Sequence, residues 1–421
     1  MKLKKILSRF QKLHPKEIDL SLDRIKILCE KLGNPQDKIK AISFVGTNGK
    51  NSTINATFSI LKEANFKCNV YTSPHIFKVN ERFIFNNNEL SDDELAVLFE
   101  EVEHINNDKP ITFFEILTAS YFYKAAQYPE NINLVEAGLF HRFDATNILK
   151  ENLASIVCSC SIDHTDWLKK NERTIEKIVF EKTSSLLNSN IIVAKQNTKE
   201  TMDCIKKNIS QNSSNKVFFN DDFSYSTNEN NFFYYEDKLG GLKLPRPNIL
   251  GQYQLENIAT AIALLRTLNL GIKGEHIQKG ITKIKSLARL QEIRSGKLKE
   301  LVKNNKLIVD GTHNVDGARA LNEYLQTLNC DKHVIISMMA NKEHEKYISY
   351  FKNISSITTI DLKTQINSIS GKNLKEKFKN MPNVQYQPSI EQAIKSINLK
   401  EGDLLLITGS LYGAAEVLSS N

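Results

Sequence analysis

The chain has no Cys-x-x-Cys pair among its six cysteines, no apolar run long enough to span a bilayer, and no basic arm or stripe. Each absence removes a class of protein. Unpaired cysteine spacing, with Cys158-Ser-Cys160 inside an apolar run, argues against a disulfide framework and for buried thiols in a reducing cytosol. The basic N-terminus MKLKKILSRFQKLHPKE lacks the unbroken apolar core and cleavage site of a secretory signal, so a cytoplasmic protein with no membrane partner is expected. Lys and Arg outnumber Asp and Glu by 56 to 48, and the excess, a net +8, is spread along the chain. That distribution points to anionic small molecules and away from nucleic acid.

With 41% hydrophobic and 25% charged residues, the composition is that of a folded globular chain, and wholesale disorder is excluded. At roughly 100–200 residues per domain, 421 residues make two or three domains. The pattern begins at Ala41-Ile42-Ser43-Phe44-Val45, an apolar strand ending in a Gly turn. Ile54, Phe58 and Leu61 follow at helical spacing. Residues 67–71, 133–136, 155–160 and 191–194 read as further strands with helical stretches between most of them, the pattern of a mostly parallel α/β sheet. Residues 196–243, rich in Asn, Ser and aromatics, break the rhythm and predict hairpins or a small β insertion. A second βα series starts at Lys306-Leu307-Ile308-Val309-Asp310. The expected organisation is an N-terminal P-loop ATPase-like domain over 1–286, with its β insertion, and a smaller C-terminal Rossmann-like α/β domain over 287–421.

Gly46-Thr47-Asn48-Gly49-Lys50-Asn51-Ser52-Thr53, between strand and helix, reads as a phosphate-binding loop. Glycines let backbone N–H groups approach phosphate oxygens, Lys50 brings a point charge, and Ser52 or Thr53 offers a hydroxyl for Mg²⁺. The helix adds its N-terminal dipole. The general pattern G-x-x-x-x-G-K-[ST] is not met literally, since position 44 is Phe44 and Asn51 replaces the hydroxyl residue. A Gly-rich turn can be purely structural, but strand, turn, Lys and helix coincide here, so ATP binding is expected.

Around this loop the sequence resembles the folylpolyglutamate synthase and dihydrofolate synthase family of the Mur ligase superfamily, over nearly the whole chain. The resemblance rests on Leu13-His14-Pro15, Tyr71-Thr72-Ser73-Pro74-His75, Asn80-Glu81-Arg82, Asp144-Ala145-Thr146-Asn147, Asp163-His164-Thr165, Glu181-Lys182, Gly251-Gln252-Tyr253-Gln254, Arg289-Leu290-Gln291 and Asp310-Gly311-Thr312-His313-Asn314, all in family order. It implies an ATP-dependent ligase. The substrate carboxylate attacks the γ-phosphate, and the amine of L-glutamate displaces phosphate from the acyl phosphate.

By the same resemblance, Asn48, Gly49, Lys50, Asn51 and Ser52 hold ATP, while Ser73, Glu136 and His164 coordinate Mg²⁺. Taken singly, a strand-end Glu or His is more often a surface or capping group. Lys182, which alone reads as a solvated charge, matches a lysine that is carbamylated and binds a second Mg²⁺, so Lys50, His164 and Lys182 are the expected catalytic residues. Asn257, Arg289, Asp310 and His313 resemble residues that close over ATP; Asp310 reads equally as a strand-end turn residue. Asp19, Leu20 and Ser21, Thr112, Phe113, Phe114 and Glu115, and Phe143, Asp144 and Ala145 match positions that hold the pterin of dihydropteroate. Phe113 and Phe114 could equally be core side chains. A monomer acting on L-glutamate and a reduced folate or dihydropteroate is expected.

Three departures bear on fit and turnover. Asn51 stands where the family has Gly, Phe140-His141-Arg142 replaces Gly-Gly-Arg, and Val315 replaces a proline. Two other readings stand beside the first: a cell-wall ligase of the wider superfamily, and a nucleotide-binding relative weakened in catalysis. The segment around Asp19 argues against the former, and the joint presence of Lys50, Glu136, His164, Lys182 and Asp310 against the latter.

Overall fold

The structure, a computed structural model, describes residues 2–16, 19–228, 232–363 and 365–420. It divides into two compact units, Met1–Asn248 with Leu255–Ile284, and Ile249–Gln254 with Lys285–Asn421.

The first unit is organised by eight strands: β1 (Lys40–Val45), β2 (Cys68–Tyr71), β3 (Phe83–Phe85), β4 (Asn88–Glu89), β5 (Ile132–Glu136), β6 (Ala154–Val157), β7 (Asn190–Val193) and β8 (Lys216–Phe218). They lie in the order β4-β3-β2-β5-β1-β6-β7-β8. Pairing is parallel from β2 to β8, and only β3 and β4 run antiparallel. Strands β2, β5 and β6 are buried at every residue, as is β1 after Lys40. Such strands, covered on both faces, give apolar runs without alternation. Parallel pairing also brings the C-terminal ends of β1, β2, β5 and β6 to one edge, where open α/β sheets collect ligands. On one side of the sheet Phe10, Tyr71, Phe83, Phe99 and Tyr121 pack in a single apolar cluster.

The stretch read as hairpins is more varied than expected. Lys199–Asn208 is an α-helix, and β8 joins the main sheet beside β7. Only β9 (Phe223–Thr227), β10 (Phe233–Asp237) and β11 (Leu242–Leu244) form the separate antiparallel sheet. The helix buries little, Thr201 and Ile205 being its only fully buried residues, so its apolar pattern is weak in the sequence.

In the second unit β12 (Gln291–Ile293), β13 (Lys306–Val309), β14 (Lys332–Ile336), β15 (Ser356–Ile360), β16 (Val384–Gln387) and β17 (Leu404–Thr408) take the order β12-β13-β17-β14-β15-β16. All but β12 pair in parallel. Among the described residues no helix is long and apolar enough to cross a membrane.

Candidate functional site

The loop after β1 is held open by its backbone. Gly46 and Gly49 have φ of +139° and +89°, a region costly for any residue with a Cβ. Space agrees with conformation: a Cβ at Gly46 would lie 2.8 Å from the Cβ of Cys158, and one at Gly49 2.5 Å from Oδ1 of Asn257. Thr47 and Asn48 donate their backbone N–H groups to the Ser159 carbonyl at 2.8 and 3.0 Å. The Thr47 hydroxyl donates to the Ser161 carbonyl and accepts the Ser161 N–H, both at 3.0 Å. Lys50 opens the helix Lys50–Glu63. Within it the Thr53 hydroxyl donates to the Gly49 carbonyl at 2.9 Å, which leaves Ser52 as the better placed of the two candidate hydroxyls.

Lys50 arches back over the loop. Its Nζ donates to the Gly46 carbonyl at 3.0 Å and stands 4.0 Å from Oε1 of Glu136, the last residue of β5. The other carboxylate oxygen of Glu136 accepts the Ser73 N–H at 3.1 Å. Ser73, Glu136 and Lys50 are therefore brought together. His164 sits in the left-handed region, φ 57°, opening the short turn Thr165–Trp167. Its ring meets Phe140 edge-on at 6.5 Å.

Lys182 is not the solvated charge that its sequence neighbours suggest. The helix Ile175–Thr183 buries it, and Nζ donates to the carbonyls of Gly46 and Leu139 at 3.0 and 2.9 Å. Burial, with the nearby charge of Lys50, pushes its pKa down to about 8. The Phe140 ring lies 5.4 Å from the amine. Phe140 and His141 are both buried, Phe140 in a cluster with Leu139, Leu168 and Ile178 against which Leu20 packs. Burial and the Lys182 charge push His141 down to about 4.

Haemophilus influenzae dihydrofolate synthase/folylpolyglutamate synthase is 30% identical over 97% of this chain and 95% of its own length. The chain belongs to the dihydrofolate synthase/folylpolyglutamate synthase family. Residues 296–411 match the family described as Mur ligase, glutamate ligase domain. Escherichia coli FolC in complex with DHPP and ADP superposes with a TM-score of 0.87 at 27% identity, covering 99% of this chain and 97% of that one. A bifunctional folylpolyglutamate synthase/dihydrofolate synthase with Mn, AMPPNP and L-glutamate bound gives 0.86 at 25%, over 99% and 97%.

Of the three segments expected to meet the pterin, two lie at the start of the helix Phe113–Ala125 and in the loop between β5 and β6. Thr112 caps the helix Phe113–Ala125, and its capping box is closed by Glu115. Phe113 and Phe114 are half-buried against the apolar cluster, Phe114 stacked on Tyr71 at 6.0 Å. Asp144 points inward: one oxygen accepts the Gly138 and Leu139 N–H groups at 2.9 and 3.1 Å, the other the Thr146 N–H and hydroxyl at 3.0 and 2.6 Å. Burial raises its pKa. Ala145 is core, while Phe143 is exposed with the Arg142 guanidinium 4.4 Å above its ring.

Sequence reasoning missed two residues. Arg24 bonds both Asp19 and Glu115, and Arg142 forks onto Glu181 at 2.9 and 2.8 Å, beside Lys182. Arg24 had a faint signal, a single Arg just inside the helix that follows Asp19.

In the second unit Asp310 is fully buried. It accepts the N–H groups of Leu290 and Thr312, both at 2.8 Å, and so fixes a turn in which Ala288 and Leu290 have φ of 51° and 45°. Arg289 lies between them, its Nη1 3.1 Å from the Ala288 carbonyl. Nδ1 of His313 is 2.9 Å from the Gly311 carbonyl. Arg289, Asp310 and His313 thus share one loop cluster. The turn-residue reading of Asp310 describes its present bonds.

Proposed function

We propose that this chain joins L-glutamate to the carboxylate of dihydropteroate, and to that of reduced folates, at the expense of ATP. The observation that carries the reading is Lys50 beside Glu136 at the head of a glycine loop, on a chain that spans the family's length. The loop N–H groups from Gly49 to Ser52 receive the phosphates, and Lys50 moves from the Gly46 carbonyl to phosphate oxygen. The pterin carboxylate then attacks the γ-phosphate, giving an acyl phosphate and ADP. Attack by the glutamate amine releases phosphate and leaves the amide. A bare carboxylate acylates poorly, and phosphate departs readily.

Among the described residues no three His, Cys, Asp or Glu side chains form a metal cage. That suits Mg²⁺, which takes one or two carboxylates and fills its shell with water and phosphate oxygens. Glu136 and Ser73 are oxygen donors of this kind, and Glu136, Ser73 and His164 would hold the ion. When bound it would draw charge from the phosphate oxygens. Lys182, buried and with a lowered pKa, has the amine character that CO₂ needs to form a carbamate, the form in which it would hold a second ion.

Phosphate release by the purified protein with ATP, L-glutamate and either dihydropteroate or tetrahydrofolate tests the reading. Release that depends on a pterin supports it. No release with either pterin refutes it.

A further inference from the structure

We infer that Arg24 is a positioning residue for the pterin, acting through Asp19. The inference rests on the proposed function and on the family resemblance, by which Asp19 meets the heterocycle. Three guanidinium nitrogens of Arg24 are spent on two residues. Nε and Nη2 fork onto the Glu115 carboxylate at 3.0 Å each, while Nη1 donates to Oδ2 of Asp19, and Nη2 to its carbonyl, at 2.9 Å. Such a fork fixes direction as well as distance, and a lysine ammonium cannot reproduce it.

The chain of contacts runs from a buried anchor to an open end. The Glu115 side chain is 4% exposed, that of Arg24 21% and that of Asp19 30%. Glu115 is already committed, since it also accepts the Thr112 N–H at 2.8 Å at the start of the helix Phe113–Ala125. Arg24 stands in the first turn of the helix Asp23–Lys31, which is anchored by buried Ile25, Leu28 and Cys29. Both ends of the fork are therefore fixed, and Asp19 takes its place from Arg24.

Asp19 has a second oxygen with a weaker partner. Oδ1 accepts Nζ of Lys16 at 3.2 Å, and that lysine side chain is 66% exposed. Exposed ion pairs hold little energy, so this oxygen can exchange Lys16 for a ligand donor at small cost. Arg24 and Lys16 together balance the two carboxylates, so a ligand donor that displaces Lys16 meets one guanidinium between two carboxylates, an acidic corner. A pterin presents an amino group and a ring N–H side by side, the donors such a carboxylate accepts. Glu115 accordingly acts through Arg24, and Asp19 is the contact.

Steady-state kinetics of Arg24→Lys with dihydropteroate, ATP and L-glutamate tests the inference. The expected result is a rise of about tenfold in KM for dihydropteroate, equal to one lost charge-assisted hydrogen bond, with KM for ATP and kcat within about threefold of wild type. Glu115→Gln, which weakens the hold on Arg24 but keeps the shape, gives a smaller rise with the same selectivity, and serves if Arg24→Lys does not fold. Asp19→Asn combined with Arg24→Lys adds little to either change alone. An unchanged KM for dihydropteroate, or equal rises for ATP and dihydropteroate, overturns the inference. Wild-type protein inactive with every pterin would instead bring down the functional reading, and this inference with it.

Discussion

Lys50 and Lys182 donate to the same carbonyl oxygen, that of Gly46, each at 3.0 Å. Two ammonium groups on one acceptor repel each other, and Lys182, the more buried, carries the consequence in a pKa lowered to about 8 by burial and by Lys50. Between that value and the ordinary 10.5, the unfolded chain holds a proton that the folded chain has released. Stability contributed through this group therefore rises with pH across the window.

Urea unfolding of wild type and Lys182→Met in carbonate-free buffer should show this. The difference between the two curves should grow in favour of wild type from pH 8 to 10.5, by about 3 kcal/mol in all. Parallel curves would show that Lys182 titrates normally.

Lys182 should also carry CO₂ in the working enzyme. Native mass measurement from bicarbonate buffer should show one added CO₂ on wild type and none on Lys182→Met. A plain amine in protein that turns over would disprove the modification.

Gly49→Ala places a Cβ at φ +89°, 2.5 Å from Oδ1 of Asn257. The expected cost is about 1–3 kcal/mol of stability, with ATP Kd raised at least ~10-fold as the loop N–H groups turn. Nucleotide titration checks it, and unchanged affinity would place phosphate elsewhere.

Asn51 departs from the family's glycine, yet its Oδ1 accepts from Asn55 one turn along the helix at 2.9 Å. The side chain is occupied on the helix surface. Asn51→Gly should therefore change kcat by less than ~3-fold and lower stability by about 0.5–1 kcal/mol. A large gain in kcat would mean that Asn51 obstructs phosphate transfer.

The glycine turn after β1 was legible because its requirements are local. Glycines at positive φ, a Lys opening a helix and an apolar strand before them all lie within a dozen residues. The parallel sheet was legible for a similar reason, since strands buried on both faces leave unbroken apolar runs. Lys182 was reached only through the resemblance, and the residues themselves did not show its burial, because the carbonyls that hold it, those of Gly46 and Leu139, lie far away in sequence. Arg24 was missed for the same cause: Glu115 lies ninety-one positions on. The helix Lys199–Asn208 hid among Asn and Ser because only Thr201 and Ile205 are buried, with Met202 and Cys204 half-buried beside them. Asp144 shows the converse, a motif residue whose bonds are all spent within its own loop.

Transfer of the γ-phosphate to the dihydropteroate carboxylate leaves an isotopic trace. Dihydropteroate carrying heavy oxygen in its carboxylate, incubated with wild-type protein, ATP and L-glutamate, should yield one heavy oxygen in the released phosphate for each amide formed. Amide formation with unlabelled phosphate would contradict the transfer.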